Sequence, residues 1–189
     1  MRKLVFALMA MAATAMTSCA QQKQKMEEKQ TAKKVLVAYF SATGNTARAA
    51  RTLADATGGT IYEITPEKKY TSADLDWNDK MSRSSVEMHD KASRPTIKKG
   101  NVDVKSYDIV FLGFPIWWDE APRVINTFIE SHDLKGKVVV PFATSGGSSI
   151  DNSAACLKRS YPDIKWKEGK LLNGVEQSEM KEWADNVME

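Results

Sequence analysis

Val35-Leu36-Val37-Ala38-Tyr39-Phe40 is an apolar, valine-rich run that leads straight into Ser41-Ala42-Thr43-Gly44-Asn45-Thr46. Ala47 to Ala54 follows with a helix-forming pattern. A strand, a short polar loop and a helix in immediate succession constrain the fold more than any other stretch. At such a junction the first helical N–H groups have no partner in the chain. The helix dipole adds partial positive charge there, so the loop can hold a phosphate. Ser41, Thr43 and Thr46 add hydroxyl donors, and Gly44 lets the backbone approach an anion closely. A plain helix N-cap needs only one Ser, Thr or Asn. Three hydroxyls, an Asn and a Gly within six residues exceed that need. Neither the Gly-Lys-Ser/Thr of a Walker loop nor the Gly-x-Gly-x-x-Gly of a dinucleotide fold occurs. The loop contains no Lys or Arg, so neutral donors would hold the dianion.

The 189 residues suffice for one domain with appendages, and a net charge of +3 with scattered Lys and Arg does not suggest nucleic acid as a partner. Arg2-Lys3 followed by the apolar stretch Leu4 to Met16 reads as a targeting segment too short to remain as a membrane span. It ends in Met16-Thr17-Ser18-Cys19, which resembles a bacterial lipoprotein signal. That resemblance implies removal of residues 1–18, lipidation of Cys19 and anchoring to a membrane of the bacterial envelope. Residues 19–32, rich in Gln, Lys and Glu, read as a flexible tether, and residues 33–189 as the globular domain. With Cys19 lipidated, Cys156 has no disulfide partner and is expected to be a buried, inert thiol on a helix.

Beyond the first helix, Gly58-Gly59 marks a helix stop, and Thr60 to Ile64 alternates as a second strand. Trp77 to Lys91 is expected to form a helix with Met81, Ser84, Ser85 and Met88 inward. Tyr107 to Phe114 is a continuous apolar run, as for a strand covered on both faces. Ala121 to Glu130 carries helical spacing at Val124, Ile125, Phe128 and Ile129. Lys137 to Thr144 reads as a fourth strand, the helix with Cys156 follows, Ile164 to Leu172 holds a short fifth strand, and Glu176 to Met188 closes as a helix. Strands alternating with helices argue an α/β fold, a parallel sheet with helices on both sides.

The pattern Ser41-x-Thr43-Gly44-x-Thr46 after the first strand resembles the FMN-phosphate loop of flavodoxins, and the resemblance extends over residues 33 to 188. It implies a three-layer flavodoxin-like sandwich with a five-stranded parallel sheet in the order 2-1-3-4-5. Ligands of such sheets bind beyond the carboxyl ends of the strands. Pro115-Ile116-Trp117-Trp118 and Thr144-Ser145-Gly146-Gly147 also match the bacterial flavodoxin-like group, which implies FMN-contact roles for them beside Ser41 to Thr46. The tryptophans offer planar apolar contact to the flavin ring, although neighbours in sequence diverge in direction. Asp119 and Glu120 could lower the potential of a negative flavin, or serve as helix-start carboxylates. His89 and His132 match no ligand spacing, so no metal site is expected.

No Gly lies between Phe114 and Ala121, where many electron-carrying flavodoxins place one. A non-Gly residue is strained at the positive φ that a turning peptide can require, which implies a bias toward two-electron chemistry. The resulting expectation is an FMN-binding redox protein, an electron carrier or a reductase of small acceptors such as quinones. A lipoprotein binding module without flavin, using Trp117 and Trp118 for a planar or sugar ligand, is the alternative.

Overall fold

The computed structural model describes residues 33–189. The expected signal segment, Cys19 and the tether lie outside the described residues. In chain order the elements are β1 (Val35–Tyr39), α1 (Asn45–Thr57), β2 (Thr60–Glu63), α2 (Arg83–His89), β3 (Ile109–Pro115), α3 (Arg123–Ser131), β4 (Val138–Thr144), α4 (Asp151–Ser160), β5 (Lys165–Trp166), β6 (Lys170–Leu171) and α5 (Gln177–Met188). The sheet is parallel in the order β2-β1-β3-β4-β5, with β6 also on β4. The expected order therefore holds, and a sixth strand is added.

Period-two alternation on β1 divides the core. Leu36, Ala38 and Phe40 join the cluster under α3, with Val124, Ile125 and Phe128. Val35, Val37 and Tyr39 join the cluster with Ala50 and Leu53 of α1 and Met180 and Ala184 of α5. Each face of a fully covered parallel strand must be apolar, which is why β1, β3 and β4 read as continuous runs. Gly113 in β3 has a packing reason: a Cβ there would lie 2.1 Å from Cζ of Phe142, its neighbour across the ladder.

Two expectations need correction. The helix over Trp77–Lys91 contracts to Arg83–His89. Ser82 caps it, accepting from the Ser85 amide, and upstream the carboxylates of Asp76 and Asp79 accept from the amides of Asn78 and Met81. Such local bonds compete with helical ones. Ser84, Ser85 and Met88 do face inward, whereas Met81 is 80% exposed. The fifth strand is broken into β5 and β6. Trp166 pairs with Val139 and Lys170 with Phe142, so this strand carries one residue more than β4 across the gap. Pro141 lies opposite the gap and has no N–H to give, and Gly169 sits so close that its Cβ would meet the Pro141 carbonyl oxygen at 2.8 Å.

Candidate functional site

The start of α1 is built on Gly44, which takes φ 91° as the N-cap and has no side chain to cap the helix. The Gly44 amide donates to Ser41 Oγ at 3.1 Å, shaping the loop, and the first intrahelical bond runs from the Arg48 amide to the Gly44 carbonyl. The amides of Asn45, Thr46 and Ala47 consequently have no intrahelical acceptor. No acidic residue stands in the first turn. The hydroxyls of this loop are not spent on capping. Thr43 is exposed, and the buried Thr46 shares a 2.8 Å hydrogen bond with Thr144 at the end of β4. Asn45 instead accepts from Arg48 Nη2 at 2.6 Å. Free amides, a dipole's positive end and no opposing carboxylate form a donor set suited to a phosphate dianion.

Next to it opens an apolar cleft of ≈ 400 Å³. Ala42 and Thr43 contribute one side, and Pro115, Ile116, Trp117 and Trp118 another. The indoles diverge. Trp117 turns inward, edge-on to Phe40 at 5.6 Å and to Tyr70 at 5.2 Å between ring centroids. Trp118 is 40% exposed and lies against His89 at 6.1 Å. Behind Trp117, the Arg83 guanidinium sits 4.0 Å over the Tyr70 ring and pairs with Glu87, which also accepts from the Tyr70 hydroxyl. Burial, then that bond to Glu87, pushes the Tyr70 phenol well above its usual range.

The loop after β3 closes as a two-residue hairpin. Trp117 and Glu120 exchange amide–carbonyl bonds of 3.0 and 2.9 Å, and between them Trp118 and Asp119 take φ 46° and 64°. The loop thus takes positive φ at two residues that carry side chains, because the hairpin closure dictates the sign. Asn152 Nδ2 donates to the Asp119 carbonyl at 3.0 Å. Glu120 is paired at 2.7 Å with Arg123, which is buried and also donates to the carbonyls of Met88 and Asp90. Glu120 is therefore a neutralised strut between the loop and α2.

The third expected loop meets the same sheet edge but does not line the cleft. The Ile116 amide bonds the Thr144 carbonyl at 2.9 Å, fixing the two loops together. Within Ser145–Ser148, the Ser145 amide is held by Asn173 Oδ1, and those of Gly147 and Ser148 by Ser145 Oγ. Gly146 keeps its amide open among the described residues. Cys156 is not buried as expected; it is half-buried, with Arg159 Nη2 at 3.1 Å from Sγ.

Leu75, Trp77 and Ser84 also line the cleft and were not anticipated. Two large apolar residues alternating with acids in Asp74-Leu75-Asp76-Trp77 were the available signal. A helical reading that began at Trp77 hid it.

The profile of a protein family described as Flavodoxin matches residues 34–187. A protein of Bacteroides eggerthii DSM 20697, provisionally described as a flavoprotein, is 62% identical; its solved structure gives a TM-score of 0.81 over 83% of this chain and 99% of its own. A protein of Bacteroides uniformis ATCC 8492 with the same description is 58% identical, with a TM-score of 0.78 over 81% of this chain and 98% of its own. A flavoprotein of Lactobacillus acidophilus NCFM in complex with FMN is 20% identical, with a TM-score of 0.65 over 81% of this chain and 99% of its own, a likeness of fold. No curated protein sequence matches the chain.

Proposed function

Because the chain belongs to the flavodoxin family, we propose that it binds FMN at the carboxyl edge of its sheet and works as a redox protein, carrying electrons or reducing small acceptors such as quinones. The observation that carries this reading is the adjacency of the uncapped, acid-free start of α1 to the apolar cleft under Trp117 and Trp118. The amides of Asn45 to Ala47 and the hydroxyls of Thr43 and Thr46 would hold the phosphate. Pro115 to Trp118 would face the ring and exclude water, with the open amide of Gly146 near the same edge. FMN, when bound, supplies the centre that accepts and returns electrons, and the chain sets its position and potential.

The hairpin at Trp118–Asp119 supports the two-electron version. The hairpin pair and the Asn152 bond hold the flanking peptides, and turning over the central Trp118–Asp119 peptide would put Trp118 at the first central position of a type II′ turn, which favours glycine. The lipoprotein-like segment ending at Cys19 supports export and lipid anchoring, with residues 19–32 as the tether.

Titration with FMN tests the reading. Added flavin should lose its fluorescence on binding and give a yellow, saturable complex. Replacing Thr43 and Thr46 together by Val should weaken FMN binding at least tenfold, since hydrogen bonds to charged groups contribute about 1.5–3 kcal/mol each. Unchanged affinity in that variant would overturn the phosphate site. A colourless protein that leaves FMN fluorescent would favour a flavin-free binding module. Turnover with NADH or NADPH and a quinone, with no protein partner, would separate reductase from carrier.

A further inference from the structure

Glu120, which closes the hairpin, also lines a second cleft of ≈ 220 Å³. It is polar, lies between α3, α4 and the segment after α2, and shares no lining residue with the apolar cleft. Lys91, Arg94, Arg123 and Arg159 face it, against the carboxylates of Glu120 and Glu130. Those two carboxylates are occupied. Glu120 pairs with Arg123 at 2.7 Å, and Glu130 accepts from Arg94 Nε at 2.8 Å and from the Tyr161 hydroxyl at 2.7 Å. Lys91 and Arg159 have no carboxylate partner among the described residues, so the cleft carries excess positive charge.

Asn126 adds a different demand. Its Nδ2 donates to the Tyr161 oxygen at 2.9 Å. Tyr161 must give its own proton to Glu130, because a carboxylate only accepts, and Arg94 holds Glu130 below the usual carboxylate range. The direction of the chain Asn126 to Tyr161 to Glu130 therefore fixes the amide's orientation. It leaves Asn126 Oδ1 with no donor, in a residue only 9% exposed that lines the cleft, and the oxygen itself is closed to solvent by the side chains around it. A buried acceptor without a donor is a costly exception. Cations that want negative oxygens and an acceptor that wants a proton define one kind of ligand.

We propose that this cleft binds a small oxyanion that carries its own hydroxyl, hydrogen phosphate being the simplest. Its negative oxygens meet Lys91 and Arg159, and as the side chains over Asn126 part to admit it, its O–H donates to Asn126 Oδ1. Sulfate has nearly the same size and shape but holds no proton at neutral pH. It would leave Asn126 unpaired and set lone pair against lone pair. Sites built to bond a hydroxyl reject analogues that lack it far more strongly than apolar pockets do. The proposal is independent of flavin binding, since no residue of the α1 start takes part.

Cys156 lines this cleft and reports on it locally. The experiment measures alkylation of Cys156 by iodoacetamide in the full chain, at neutral pH, with FMN saturating and again without it. Mass spectrometry of the Cys156 peptide gives the rate. Phosphate should slow it saturably, sulfate should need at least a tenfold higher concentration, and chloride at equal ionic strength should leave it unchanged. Lys91→Ala, at an exposed position, should weaken both anions several-fold and keep their ratio. Asn126→Ala should bring phosphate and sulfate within about twofold of each other. Equal protection by the two anions in the unmodified protein would overturn the proposal. Protection no greater than with chloride would do the same and would assign Asn126 Oδ1 to water. If Asn126→Ala fails to fold, the phosphate–sulfate comparison in the unmodified chain still decides.

Discussion

Trp118 and Asp119 hold φ 46° and 64°, a region that costs a side-chain-bearing residue on the order of 1 kcal/mol or more. Primed hairpin turns favour glycine at the second central position. Asp119→Gly should therefore stabilise the flavin-free protein by about 1 kcal/mol, less the entropy glycine gains when unfolded. A higher urea midpoint with unchanged slope would show it; a lower midpoint would mean the carboxylate does something essential. Gly113 presents the opposite case. Gly113→Ala sets a methyl into the Phe142 ring between two central strands and should cost about 1–3 kcal/mol by the same measurement. Neither position explains itself in the sequence. The residue types of Trp118 and Asp119 do not announce positive φ; the Trp117–Glu120 bonds impose it. The need for Gly113 depends on a ring that comes from another strand.

Among elements, α2 owes its start to a single hydroxyl. Ser82→Ala removes the cap on Ser85 and should cost about 1 kcal/mol, read as a lower thermal midpoint. Loosening should extend to the cleft, because Arg83 and Ser84 of this helix border Tyr70 and the cleft wall. Elements with continuous apolar runs or clean helical spacing, β1, β3, β4 and α3, were legible from sequence because their burial is written into the residues themselves. The bounds of α2 were not, since Ser82, Asp76 and Asp79 redirect local amides without changing hydrophobic periodicity. The division of β5 from β6 escaped for a related reason. It is imposed by Pro141 on the neighbouring strand, which sequence order places far away.

Taken whole, the molecule joins α3 to its surroundings through the Arg94–Glu130–Tyr161–Asn126 network. Burial, then the bond to Glu130, raises the Tyr161 phenol to about 12 from 10.0. A phenol raised on folding contributes stability that is complete below pH 10 and lost as pH climbs toward about 12. Tyr161→Phe should flatten that stretch of a stability–pH curve, leaving a further alkaline loss from Tyr70, whose phenol is also raised. Persistence of the full decline in the variant would remove Tyr161 from the account. At this scale the candidate phosphate loop was legible, since its donors are contiguous in sequence. The part of the cleft supplied by Leu75 and Trp77 was not, because it depends on where a loop without regular structure comes to rest. The same irregularity at the far side of the sheet has its own effect. β2 spans four residues, and β5 and β6 only two each. Neither margin offers an uninterrupted row of open amides on which a second copy could extend the ladder, so a parallel sheet with an apolar interior is guarded against fibre-like self-association.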